Sequence, residues 1–81
     1  MFYIYFLKSR VNGDLYIGSC KDLTVRYKRH NLGLVRSTKS NRPWELVGYE
    51  TYNTRSEAYR REMFLKTGQQ KELLKKKFDN N

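Results

Sequence analysis

A carboxylate set among apolar residues, a cluster of tyrosines and one histidine are the groups in this chain with chemistry to offer. Glu62 lies four positions after Ala58 and three before Leu65. On a helix it therefore shares the side defined by the apolar residues Ala58, Tyr59, Met63 and Leu65. A carboxylate there needs a cation or hydrogen-bond donors, because an unpaired buried charge is costly. Lys66, one helical turn on, meets that need as an ordinary surface ion pair. Spacing alone favours the ion pair.

Tyr3, Tyr5 and Tyr16 fall in the first two apolar segments. Tyr3 and Tyr5 share one face of their strand, because side chains alternate along extended backbone. Most strand tyrosines are packing residues with a wet hydroxyl. A pair of phenols beside cations instead handles a proton or orients a water. Gly18 interrupts a run of strand formers, the mark of a bulge or of something approaching the backbone closely. His30, the lone histidine, reads as a hydrogen-bonded helix residue.

The elements that position these groups follow from local chemistry. Phe2 to Lys8 is a short apolar run of strand length. Asn12-Gly13 then predicts a tight two-residue hairpin turn with both residues at positive φ, leading to a second strand from Asp14 to Cys20. Asp22 caps a helix from Leu23 to about Asn31, which Gly33 terminates in a left-handed conformation. Arg26 and His30 lie four apart on one of its faces. Residues Val35 to Arg42 read as a loop, and Pro43 leads into a third strand from Trp44 to Glu50. Thr54 and Glu57 form a capping box for a helix running to about Lys66, with Gly68 ending it. A last helix from Gln70 to Phe78 puts Leu73 and Leu74 inside and lysines outside. The expected order is β-β-α-β-α-α in one domain over residues 1–78, with 79–81 as a polar tail.

Composition narrows the partners. The 81 residues carry 17 Lys+Arg against 8 Asp+Glu, a formal charge of +9. That balance on a small aromatic-rich domain points to a polyanion, with nucleic acid first. One cysteine excludes an internal disulfide, and one cysteine with one histidine cannot build a structural zinc site. The longest apolar run, Met1 to Leu7, is too short for a membrane span and lacks the features of a signal peptide. A cytoplasmic protein with no membrane partner is expected.

Taken in order, Tyr3-Ile4-Tyr5, Tyr16-Ile17-Gly18, Arg26 with His30, and Glu62 resemble the GIY-YIG nucleases. Ser19-x-x-Asp22-Leu23, Asn31-x-Gly33, Thr38-Lys39-Ser40-x-Arg42-Pro43-Trp44 and Ser56-Glu57-Ala58 through Arg61-Glu62 look like the small stand-alone members. The first motif opens with Tyr3 in place of glycine. The resemblance runs from Phe2 to about Leu74.

The resemblance implies an α+β fold, a three-stranded antiparallel sheet flanked by helices, and a Mg²⁺-dependent (or Mn²⁺-dependent) endonuclease cutting DNA with a single metal. By position, Glu62 would be the metal's protein ligand, which suits an ion that keeps most of its waters. Arg26 would hold the scissile phosphate and His30 would stand beside it. Tyr5 and Tyr16 are both candidates for proton abstraction or water positioning. Gly18 would keep the strand open where the substrate lies. The backbone-binding surface would include Lys21, Lys28, Arg29, Lys39 and Arg42. Implied partners are DNA, as branched or single-/double-stranded junctions of the kind met in repair, and a targeting protein. Two rivals remain: a non-catalytic nucleic-acid-binding or repair-associated module of the same fold, and a structural or ribosome-associated basic protein.

Overall fold

The computed structural model describes residues 1–79. Strand β1 spans Phe2–Ser9, β2 Leu15–Cys20 and β3 Trp44–Tyr52. Helix α1 spans Leu23–Asn31, α2 Arg55–Leu65 and α3 Gly68–Asp79, and a 3-10 helix covers Arg36–Asn41. The sheet is antiparallel in the order β2-β1-β3. This is the expected α+β fold and element order.

Because β1 is the central strand, both of its faces are covered, and this explains its unbroken apolar character. One face carries Ile4, Phe6, Leu15 and Ile17 against Ala58 and Leu65 of α2, with Leu74 and Phe78 of α3 packed beside them. The opposite face carries Tyr5, Leu7 and Trp44, with Tyr16, Leu23 and Tyr27 against them. A bulge between Phe6 and Leu7, where β1 meets β3, adjusts the register there.

The caps at Asp22 and Gly33 form as expected. The Thr54/Glu57 capping box forms only by its Thr54 half, the Glu57 carboxylate meeting the Thr54 hydroxyl instead of the Thr54 backbone N–H. Asp22 accepts the Val25 N–H at 3.1 Å. Gly33 takes φ +79, and the Gly33 and Leu34 N–H groups return to His30 and Arg29 carbonyls. Thr54 accepts the Glu57 N–H, while the Glu57 carboxylate takes the Thr54 hydroxyl at 3.0 Å.

Several expectations are corrected. The hairpin turn is wider than two residues: only Gly13 has positive φ, and the Ser9 hydroxyl accepts the Val11 and Asn12 N–H groups. The segment expected as a loop holds the 3-10 helix Arg36–Asn41. Gly68 opens α3 instead of ending α2, whose C-cap is Lys66. Tyr59 and Met63 are exposed, so the apolar face of α2 is narrower than its spacing suggested, and Leu73 of α3, expected inside, is exposed as well. Of the expected tail 79–81, Asp79 closes α3. Residues 80 and 81 lie outside the described residues.

Candidate functional site

The β1–β2 register sets Tyr5 directly opposite Gly18. A Cβ at position 18 would lie 2.5 Å from the Tyr5 hydroxyl oxygen and 2.9 Å from the Tyr16 ring. Glycine is therefore what lets the Tyr5 ring lie across its neighbouring strand. Gly18 is buried beneath that ring, and the space above it belongs to Tyr5. The expectation that it keeps the strand open for a substrate is corrected accordingly.

Helix α1 brings Arg26 and His30 to the same place. The Tyr5 hydroxyl lies 2.8 Å from His30 Nε2, and Arg26 Nε–H reaches the Tyr5 oxygen in a long contact of 3.4 Å. His30 Nδ1 lies 2.8 Å from Thr38 Oγ1, which in turn donates to the Val35 carbonyl. With the Thr38 proton directed to Val35, the network assigns Nδ1 as the ring's donor and Nε2 as its acceptor. The result is a directed chain: Arg26 donates to Tyr5, Tyr5 to His30, His30 to Thr38.

Both central members of that chain are fully shielded. Burial pushes the Tyr5 hydroxyl up in pKa, against the opposing effect of its hydrogen bond with Arg26. Burial, followed by the Arg26 charge, lowers His30 to about 4. Both groups are neutral at pH 7. Arg26 is held even more firmly in its charged form, chiefly by the bond to Tyr5.

Tyr16 is only half-buried, and its ring centroid stands 5.0 Å from His30 and 6.1 Å from Tyr5. Trp44 supports the group from below. Its indole donates to the Thr38 carbonyl, and Asn31 and Tyr27 hold its backbone. Thr38, Asn31 and Trp44 are the supporting residues whose roles the sequence reading did not assign. Their contacts with the site are tertiary, and no periodicity marks them.

Glu62 approaches from the other side of the sheet's edge. Its side chain is 12% exposed, and Oε2 accepts from Lys66 Nζ at 2.7 Å. Oε1 accepts from the Ser19 hydroxyl at 2.8 Å. Ser19 is the residue after Gly18, so β2 separates the carboxylate from the tyrosine–histidine group by the thickness of one edge strand. Among the described residues no group of three or more His, Cys, Asp and Glu side chains could hold a metal. The donor set offered near the site is one hard carboxylate, which fits a largely hydrated Mg²⁺. Lys66 occupies one of its oxygens and would have to yield.

The five cations expected to meet a phosphate backbone, Lys21, Lys28, Arg29, Lys39 and Arg42, are all exposed. The carboxylate pairs among the described residues engage Lys8, Arg10, Arg61 and Lys66 instead. Arg42 is partly committed, since its Nε donates to the Lys39 carbonyl and its guanidinium lies over Gly33.

Known proteins resemble this chain in sequence and fold. A UPF0213 protein of Staphylococcus epidermidis is 43% identical over 74 residues, covering 90% of this chain and 89% of its own length. One from Staphylococcus saprophyticus is 42% identical over 74 residues with the same shares covered. The solution NMR structure of a UPF0213 protein from Bacillus halodurans is 31% identical, with a TM-score of 0.56 over 91% of this chain and 82% of that one. No helix among the described residues is long and apolar enough to cross a membrane. Residues 1–77 match the model of the GIY-YIG catalytic domain, and the chain belongs to that nuclease family.

Proposed function

We propose that this protein is a divalent-cation-dependent endonuclease that hydrolyses phosphodiester bonds in DNA at the outer edge of β2. The carrying observation is the Tyr5–Arg26 contact. By engaging Nε, the Tyr5 oxygen leaves the two terminal nitrogens of Arg26 for a phosphate, in the fork geometry that matches two phosphoryl oxygens.

The shielding of Tyr5 and His30 divides the roles. Tyr5 stays protonated and never meets solvent, so it is a positioning residue for Arg26, with His30 and Thr38 fixing Tyr5 in turn. Tyr16 is the phenol with access to solvent, which makes it the residue to orient the attacking water and, once its own proton has passed to solvent, to take the water's proton as the phenolate. Arg26 stabilises charge that builds on the phosphoryl oxygens. Glu62 would hold the Mg²⁺ (or Mn²⁺) ion, which would supply Lewis-acid charge stabilisation to the phosphodiester when bound.

The Lys66–Glu62 pair favours a second reading, a nucleic-acid-binding module that does not cut, with the carboxylate spent on an ion pair. Cleavage of supercoiled plasmid and of branched DNA across a Mg²⁺ series separates the two. The nuclease reading expects Mg²⁺-dependent nicking that falls to background in Glu62→Gln while DNA binding persists. It also expects Lys66→Ala to need less Mg²⁺. Near wild-type cleavage in Glu62→Gln would overturn the metal role, and no cleavage of any DNA by the wild type would leave the binding module.

A further inference from the structure

A cleft of about 510 Å³ lies at the far end of β2, lined by Phe2, Ser19, Cys20, Lys21, Arg55, Ser56, Ala58 and Tyr59. Its walls combine two aromatic rings with small residues, and its charged members are both cations. Lys21 and Arg55 are held over the Phe2 ring at 5.6 and 5.3 Å from its centroid. Among the described residues no carboxylate lines it. The cleft adjoins the proposed centre on both sides of the strand: Ser19 donates to Glu62, and Cys20 packs against the cluster of Tyr5, Leu7 and Trp44.

We propose that this cleft receives one unstacked nucleobase of the DNA, next to the phosphate held by Arg26. The inference rests on the nuclease reading above and names its substrate class: DNA with an unpaired nucleotide beside the cut. Aromatic faces and guanidinium planes stack on bases of any sequence, so the cleft selects for an available base and not for its identity. Lys21 and Arg55 would meet the phosphates on either side of that nucleotide. A fully paired duplex cannot fill the cleft without the cost of unpairing and unstacking. Junctions and flaps supply the base free.

The test uses the whole chain in EDTA, so that nothing is cut. One duplex carries 2-aminopurine within a paired strand, and a second carries it as the first unpaired nucleotide of a flap. The proposal expects the flap probe's fluorescence to change on binding and the flap to bind about tenfold tighter than the duplex, a typical worth for one stacked base. Tyr59→Ala and Arg55→Gln should each remove most of that preference and leave duplex affinity within about twofold. Both residues are exposed, so both variants should keep the fold. Equal affinity for the two probes, with no fluorescence change, would overturn the base site and leave the nuclease reading standing. Binding to neither would overturn both. A preference unaltered in both variants would place the free base elsewhere.

Discussion

Tyr5 and His30 are bonded through 2.8 Å between two side chains that solvent does not reach, 25 residues apart in the chain. That bond ties the central strand to α1 and thereby fixes where Arg26 stands. Tyr5→Phe keeps the ring over Gly18 and removes the oxygen. His30 Nε2 is then a buried acceptor with no partner, which costs about 1–3 kcal/mol of stability. Arg26 also loses the contact that orients it. We expect a lower urea midpoint with an unchanged far-ultraviolet spectrum, and a cleavage rate reduced more than DNA affinity. A fully active Tyr5→Phe would remove Tyr5 from the positioning of Arg26.

The same burial makes stability depend on acid. His30 falls to about 4 in the folded protein from 6.5, so between those values the unfolded chain binds the proton and the native one resists it. Stability from this group is fully present above pH 6.5 and is lost as the pH drops toward 4. The loss amounts to roughly 3 kcal/mol across the window, from about 1.4 kcal/mol per pH unit. Urea titrations from pH 7.5 to 4 should show this slope, and His30→Gln should flatten it. A wild-type profile as flat as the variant's would mean that His30 does not carry the acid sensitivity.

How far these relationships can be read from sequence depends on their range along the chain. Asp22, Gly33 and the Thr54/Glu57 pair act within one helical turn, and each was legible. Phe2–Ser9 was legible because a central strand is apolar on both faces. Gly68 was not, since a glycine between two helices suits the end of one or the start of the next. Asn12-Gly13 misled because the Ser9 hydroxyl, three residues before Asn12, captures the turn's N–H groups. Thr38 is bound to His30 only in three dimensions, and so is Glu62 to Ser19. The shielding of Tyr5 likewise follows from packing on both sheet faces, which no spacing encodes.

Gly18 offers a test of that packing. In Gly18→Ala the new methyl would meet the end of the Tyr5 ring at about 2.5 Å, far inside van der Waals contact. Tyr5 cannot retreat without breaking its bond to His30, because the ring is fully enclosed. Overpacking of this kind typically costs about 1–3 kcal/mol. The melting temperature should fall and cleavage with it, whereas Gly13→Ala, whose turn lies at the opposite end of the strands, should lower stability through its φ of +78 and spare the catalytic step. Equal melting temperatures for Gly18→Ala and wild type would mean that the Tyr5 ring does not lie where the structure puts it.

On the proposed nuclease reading, the exposed cations without carboxylate partners would set how the protein meets DNA. Lys28 and Arg29 lie on α1 two and three residues beyond Arg26, and Lys21 lies just ahead of that helix. None is engaged in a carboxylate pair among the described residues, so each is available to a phosphate without first breaking one. Binding should therefore weaken linearly as salt rises on a log–log plot, by about 0.9 in slope for every phosphate neutralised. Lys28→Ala and Arg29→Ala together should make the slope about two phosphate contacts shallower, and should do so equally on unrelated duplex sequences. Arg10→Ala, whose guanidinium is paired with Glu45 at 3.1 Å, should leave the slope unchanged. Fluorescence anisotropy over a potassium chloride series measures both, and an unaltered slope in the double variant would move the phosphate-binding surface away from α1.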